Sequence, residues 1–142
     1  MQLKILSLGF YLLLALAACT EKQDIQSGAL AITRALVEPQ AVSKASAWWE
    51  PERYAEPSAF IKDMQQVNVY TYLKARRRQG ADMRYKVAAV TQESKTAFRA
   101  EVFIDIVSHD QTAKSDRYRV SLGFKAEEPD IWKLNSLSID KE

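Results

Sequence analysis

The chain has 142 residues, with 20 lysine and arginine side chains against 18 aspartate and glutamate side chains. This near-neutral balance excludes the usual nucleic-acid-binding domain, which carries a clear basic excess. The sequence is 47% apolar and has only four glycines and four prolines, a composition typical of a folded domain rather than a disordered stalk. Because the chain contains one cysteine, Cys19, it cannot form an intramolecular disulfide.

The first eighteen residues have the pattern of a secretory signal peptide. Lys4 is the only charged residue before Cys19, and an apolar stretch follows it from Ile5 to Ala18, interrupted by Ser7 and Gly9. This stretch is shorter than the roughly 20 residues that a helix needs to cross the bilayer core. The pattern therefore predicts export and cleavage, with an uncleaved anchor as the weaker alternative.

The segment Leu16-Ala17-Ala18-Cys19 resembles the lipobox of bacterial lipoproteins. The resemblance implies cleavage before Cys19 and lipid on its thiol, and Thr20 in the next position favours the outer membrane, facing the periplasm. The alternative is an ordinary secretory peptide ahead of a buried cysteine. We expect a signal peptide over 1–18, a lipidated tether over 19–27 and one domain over 28–142.

Helical patterns occupy the first half of that domain. Ile25, Ala29, Ile32 and Leu36 recur at spacings of four, three and four, which predicts a helix over Ile25–Val37 that ends before Pro39. A second short helix is predicted over Gln40–Trp49. A third is predicted over residues 59–78, with its apolar stripe formed by Phe60, Met64, Val67 and Thr71. Period-two alternation in the same segment leaves a strand as the alternative.

After Gly80 apolar residues alternate with polar ones, as in half-buried strands. Four strands are predicted, with polar connections at Gln92–Lys95, Ser108–Ser115 and Glu127–Asp130. Their inward residues are predicted to be Tyr85, Val87 and Ala89; Phe98, Ala100, Val102, Ile104 and Ile106; Tyr118, Val120, Leu122 and Phe124; and Trp132, Leu134, Leu137 and Ile139. The change of parity near Asn135-Ser136 predicts a β-bulge. Helices followed by an antiparallel meander indicate an α+β fold.

No residue pattern indicates catalysis. His109 is the only histidine; with Asp110 it could act as a general base, but a solvated loop position is the simpler interpretation. One histidine and one lipidated cysteine exclude the usual zinc and copper sites, and the chain has no Gly-x-Ser-x-Gly or glycine-rich phosphate motif. We therefore expect a protein that is not an enzyme and needs no cofactor or metal.

Two groups of residues are candidates for binding. The cations Arg76, Arg77 and Arg78 are predicted to cap a helix that ends at Gln79-Gly80, and they could also hold an anionic group or an acidic partner. An aromatic set could line a cavity or form a contact site, although large aromatic side chains more often fill a core. The members of this set are Trp48, Trp49, Tyr54, Tyr70 and Tyr72.

The order of helices and strands, closing on Ile131-Trp132-Lys133-Leu134-Asn135-Ser136-Leu137, resembles the nuclear transport factor 2-like superfamily. Within it, the chain is similar to the periplasmic domain of the inner-membrane scaffold subunit of type IV secretion and conjugation systems. That family has a transmembrane helix in place of the lipobox and an Asn-Pro-Leu-Gly-Phe stretch where Glu127–Asp130 stands here. The resemblance implies a cone-like fold and a non-catalytic interaction module that binds an envelope protein. The alternative function is small-ligand or lipid binding in the cavity of the fold.

Overall fold

A computed structural model describes residues 21–49, 56–107, 116–129 and 131–142. The predicted signal peptide, the cleavage motif Leu16-Ala17-Ala18, the lipidation site Cys19, the aromatic Tyr54 and the turn containing His109 and Asp110 lie outside these residues. Within the described part of the chain, no helix is long and apolar enough to span a membrane.

The first predicted helix is confirmed. Residues 21–37 are helical and form α1, and all four residues of the predicted stripe are buried: Ile25, Ala29, Ile32 and Leu36. The helix also contains residues 21–27, which the sequence assigned to the tether, because Ile25 belongs to the hydrophobic core. Glu38 N–H donates to Arg34 O at 2.8 Å, and Pro39 begins a new 3₁₀ turn. The helix therefore ends before Pro39, as predicted.

The second helix is present but divided. A 3₁₀ turn over Pro39–Ala41 leads into the short helix α2, Val42–Ala45, and a further 3₁₀ turn covers Ser46–Trp48. The chain then becomes extended at Trp49, whose ring is almost completely buried. The adjacent Trp48 is half-buried, so the two tryptophans face different surroundings.

The third helix is shorter than predicted, and its predicted stripe is wrong. A 3₁₀ turn covers Pro57–Phe60, and α3 begins only at Met64 and continues to Arg78. Asp63 starts it by accepting a hydrogen bond from Gln65 N–H at 2.8 Å. Phe60 precedes this cap and is not part of α3, so its four-residue spacing from Met64 does not place the two on one helix face. Met64 is 72% exposed, and Leu73 is the buried residue of α3.

The predicted cap at the C-terminal end of α3 is confirmed. Gly80 has a φ of +93°, a conformation that residues with a Cβ rarely adopt. Ala81 N–H donates to Arg76 O at 3.1 Å and Gly80 N–H to Arg77 O at 3.0 Å. These bonds satisfy carbonyls that the end of a helix otherwise leaves unpaired.

Four strands follow in the order β1-β2-β3-β4, each antiparallel to its neighbour. They are β1 (Asp82–Ser94), β2 (Ala97–Val107), β3 (Asp116–Glu128) and β4 (Ile131–Lys141). The fold is therefore α+β, with helices packed on one face of a curved four-stranded sheet. The inward residues predicted for β2, β3 and β4 are all buried.

The bulge predicted near Asn135-Ser136 is confirmed. Gly123 pairs with Ser136 and the next residue, Phe124, pairs with Leu134, so Asn135 is the extra residue in β4. A second register shift, between Val87 and Ala89 in β1, was not predicted. Beyond it the parity changes, so Ala89 is exposed and Val90 packs against the core instead.

Candidate functional site

The C-terminal ends of α1 and α3 meet at one ion pair. Arg77 donates from Nη2 at 2.8 Å and from Nε at 3.1 Å to Oε1 of Glu38, the residue that follows α1. A third bond, from Arg77 Nη1 to Ala81 O at 3.1 Å, connects the same side chain to the start of the sheet. Arg77 therefore holds three parts of the fold together at this point.

The three arginines predicted as a contact site lie in different surroundings. Arg77 is paired with Glu38, whereas Arg78 lines an open cleft beside it. Arg76 lies near Tyr118: burial raises the pKa of that tyrosine to about 12, with smaller contributions from Tyr72 and Asp116, and the charge of Arg76 opposes the shift. Only part of the arginine run can therefore contact a ligand in the cleft.

The cleft beside Arg77 has a volume of about 400 Å³ and is bordered by Val37, Glu38, Pro39, Gln40, Lys74, Arg77 and Arg78. Two further clefts adjoin it. One of about 280 Å³ shares Pro39 and Lys74, and one of about 270 Å³ shares Glu38 and Gln40. The three clefts therefore adjoin one another at these shared residues, and together we call them the basic cleft.

Cations outnumber carboxylates along the basic cleft. The described residues that line it include the cations Arg34, Lys44, Lys74, Arg77 and Arg78, and the carboxylates Glu38 and Glu56. Within the described ranges, Arg77 alone of these five cations has a carboxylate oxygen within 4.0 Å. Lys74 instead donates to the hydroxyl of Tyr70 at 3.1 Å. This excess of positive charge suits the cleft to binding anions.

Tyr85 on β1 connects the basic cleft to the core. The guanidinium of Arg34 lies 5.5 Å from the centre of its ring. Burial raises the pKa of Tyr85 to about 12, and the charge of Glu38 contributes in the same direction, while Arg77 and Arg34 act against it. The hydroxyl is buried without a hydrogen-bond partner in the described part of the chain, and it is neutral at physiological pH.

The outer face of the sheet also carries arginines; carboxylates pair with three of them, whereas Arg84 on β1 has no ion pair among the described residues. Arg117 donates to Asp105 from Nε at 2.7 Å and from Nη2 at 3.1 Å, and that hydrogen bond raises the pKa of Arg117. Arg119 pairs with Glu142 at 2.6 Å, and Arg99 pairs with Glu93 at 2.9 Å. An anionic partner would have to compete with these carboxylates for the three paired arginines, whereas in the described part of the basic cleft a carboxylate pairs only with Arg77.

The described members of the aromatic set fall into two groups. Trp48 packs edge-to-face on Phe124 at 5.9 Å, whereas Tyr72 lies 6.2 Å from Tyr118. Phe124 and Tyr118 are six residues apart on β3, a distance of about 20 Å along a strand. Trp48 and Tyr72 therefore do not surround one common cavity. Tyr70 is joined to the basic cleft through Lys74.

Sequence reasoning missed Arg34, Glu38, Lys44 and Tyr85 as neighbours of the arginine run. The spacing of Arg34 and Glu38 places both on one side of α1 beside the proline stop, but it does not indicate what they face. The contact with Arg77 joins residues that are 39 positions apart, and no local pattern predicts it.

The described residues include no group of three or more histidine, cysteine, aspartate or glutamate side chains arranged to hold a metal ion. Comparison with protein-family models and with curated proteins finds no match to the chain. The function is therefore inferred from the geometry of the basic cleft and from the sequence patterns.

Proposed function

We propose that this protein is an envelope lipoprotein, anchored by lipid on Cys19, that serves as a non-catalytic interaction module and contacts a protein partner through the basic cleft. The observation that carries the proposal is the charge difference between its two arginine-bearing surfaces. Of the four described arginines on the sheet, Arg99, Arg117 and Arg119 are ion-paired and Arg84 is not, whereas two of the three arginines of the cleft, Arg34 and Arg78, lack a described carboxylate partner.

The proposal extends to a nuclear transport factor 2-like fold and a place in a secretion or conjugation apparatus. Helices packed on one face of a four-stranded antiparallel meander support this fold. The strand Trp132-Lys133-Leu134 at its close supports it as well. The proposed place in such an apparatus rests on the sequence resemblance alone. The identity of the neighbouring genes would test it independently.

The anchor is tested by metabolic labelling with a radioactive fatty acid in a bacterial host. We expect label on the full-length chain to depend on Cys19 and to be lost in Cys19→Ser. Mass spectrometry should place the mature N-terminus at residue 19. A secreted, unlabelled product that begins elsewhere would contradict the lipoprotein assignment.

The partner contact is tested in the native envelope by site-specific photo-crosslinking. A photoreactive residue at Gln40, inside the basic cleft, should give a discrete adduct with another envelope protein. The same residue at Ser121, on the outer face of the sheet, is the matched control and should not give that adduct. Lys74→Glu with Arg78→Glu should abolish the Gln40 adduct at unchanged protein level. Recovery of the uncross-linked protein alone would overturn the proposal.

A further inference from the structure

The predicted anchor precedes α1, whereas the basic cleft lies along the C-terminal half of that helix. Residues 21–37 span about 24 Å at 1.5 Å per residue, and the cleft is lined from Ala31 onward, about 15 Å from the start of the helix. Cys19 is two residues before Glu21, so its Cα is within about 8 Å of the Cα of that residue. A lipid on Cys19 would therefore be attached at the end of the helix remote from the cleft.

Contacts between α1 and the sheet give the same polarity. Near the middle of α1, Gly28 packs against Trp48, which in turn contacts Phe124. Near the end of α1, Arg34 lies over Tyr85. In the sheet register Tyr85 lies opposite Ile104 on β2, and Ile104 lies opposite Tyr118 on β3. Phe124 and Tyr118 are about 20 Å apart on the same strand, so α1 runs from the Phe124 side of the sheet towards the Tyr118 side.

The connection between anchor and fold is short. Ile25 is fully buried in the core, and the chain is already helical at residue 21. A lipid on Cys19 would therefore hold the start of α1 close to the bilayer surface. The surface potential of anionic lipids is also screened with a decay length of about 8 Å at physiological ionic strength, so at roughly 15 to 24 Å it contributes little to what the cleft binds.

The shape of the basic cleft favours an extended anion over a small one. Its cations are distributed along three adjoining depressions: Arg34 and Lys44 border one end, Arg77 and Arg78 the centre, and Lys74 the other side. Between them the lining is apolar, with Ala31, Pro39, Ala41 and Val42. A single phosphate or carboxylate could engage only one part of this arrangement.

We infer that the basic cleft faces away from the anchoring bilayer and binds an extended acidic segment of a partner protein in the periplasm. The inference rests on the proposed lipid anchor and adds the partner's chemistry and position. Carboxylates of such a segment would pair with Lys44, Lys74 and Arg78, and its small apolar residues would lie on Pro39 and Val42.

The test uses the lipidated full chain in vesicles and a fluorescent oligoglutamate peptide as probe. In vesicles of zwitterionic phosphatidylcholine the peptide should bind, and Lys74→Glu with Arg78→Glu should weaken binding by about tenfold or more, since two favourable charge pairs become repulsive. Lys125→Glu, an exposed charge reversal outside the cleft, is the matched control and should change affinity less than about twofold.

Two further arms address the position and the length of the ligand. Adding anionic phosphatidylglycerol to the vesicles should change peptide affinity less than about twofold, because the cleft lies beyond the screened surface potential. A loss of binding on anionic vesicles would show that the cleft faces the lipid and would overturn the inference. If free glutamate at the same concentration of residues displaced the peptide, the inference that the cleft binds an extended ligand would be wrong.

Failure of the underlying proposal has a different signature. If Cys19 carried no lipid, the protein would not float with the vesicles at all, whatever the peptide did. A protein that floats but does not bind the peptide contradicts only the inferred partner chemistry.

Discussion

Glu38 and Arg77 join the C-terminal ends of α1 and α3, with one carboxylate oxygen accepting from both Nε and Nη2 of the guanidinium at 3.1 and 2.8 Å. The side chains are 17% and 36% exposed, so the pair is only partly screened by solvent. Because both residues also line the basic cleft, the contact that stabilises the junction of the helices shapes the proposed binding surface as well.

Breaking this ion pair should lower the free energy of unfolding. Arg77→Ala removes three hydrogen bonds and should cost about 2 kcal/mol, and Glu38→Gln should cost about 1 kcal/mol. A double-mutant cycle followed by urea denaturation should give a coupling energy of about 1 kcal/mol, reduced from the fully buried case because Arg77 is over a third exposed.

The exposed pair Arg99 and Glu93 is the matched control. Its side chains are 62% and 47% exposed, so solvent screening should leave a coupling energy of a few tenths of a kcal/mol at most. Equal coupling in the two cycles would show that the Glu38–Arg77 pair is not a specific support of the helix junction.

Gly28→Ala should destabilise the fold through steric overlap. A Cβ at this position would lie 2.6 Å from three ring carbons of Trp48, which packs in turn against Phe124. The ring must move, and we expect a loss of about 2 to 3 kcal/mol in unfolding free energy with a change in tryptophan emission. In the background of Trp48→Leu the same substitution should cost much less.

Gly80→Ala provides the comparison, because it separates backbone strain from overlap. Nothing lies within 4 Å of a Cβ there, but the φ of +93° disfavours alanine. The expected cost is about 1 kcal/mol with unchanged tryptophan emission. If Trp48→Leu also relieved Gly80→Ala, loss of general stability rather than overlap at Gly28 would account for the rescue.

The raised pKa of Tyr85 predicts that the free energy of unfolding declines at alkaline pH. Its pKa rises from 10.0 to about 12 on folding, so the folded protein holds the phenolic proton more tightly than the unfolded chain. The resulting stabilisation is complete below pH 10, and the unfolding free energy falls as the pH rises from 10 to 12. The decline attributable to Tyr85 is on the order of 2 kcal/mol.

Tyr85→Phe isolates that contribution. Its urea denaturation curves at pH of about 9 and about 11.5 should differ less than those of the unaltered protein. At neutral pH the substitution should be neutral or stabilising by up to about 1 kcal/mol, since the buried hydroxyl has no partner in the described structure. Tyr118→Phe should reduce the alkaline decline as well, because burial raises the pKa of Tyr118 in the same direction. An unchanged alkaline decline in both variants would contradict the assignment.

Local patterns predicted those parts of the fold that depend on a single periodicity or a single stop. The stripe of α1, the cap at Gly80 and the inward faces of β2, β3 and β4 follow from side-chain spacing alone. The β1 bulge escaped prediction because Val87-Ala88-Ala89-Val90 contains small or apolar residues at four successive positions, which fit either parity. In α3 the cap at Asp63 outweighed an apolar spacing that crossed it.

The candidate site was predictable only in fragments. The arginine run is visible in the sequence, but its division among Tyr118, Glu38 and the open cleft is a consequence of tertiary packing. In the aromatic set, closeness in sequence does not give shared surroundings: Trp49 is buried, whereas the adjacent Trp48 is half-buried against Phe124. Tyr72 contacts Tyr118, which lies about 20 Å along β3 from Phe124.

The bulge in β4 predicts that Asn135 can be deleted without reversing the strand. Asn135 is the extra residue between Leu134 and Ser136, so its removal keeps Trp132 and Leu134 inward and leaves Leu137 and Ile139 on the same face. The deletion should preserve the fold, with a loss in unfolding free energy that we estimate at below about 2 kcal/mol.

Deletion of Ser138 is the matched control, since it removes one residue from the same strand outside the bulge. It moves Ile139, 1% exposed in the native sheet, to the outer face and brings Asp140 towards the core. Loss of a buried isoleucine and burial of a carboxylate should together cost at least about 4 kcal/mol. Circular dichroism and urea denaturation of the two variants decide the matter. Equal damage would mean that the bulge itself, with the curvature it gives β4, is required for folding.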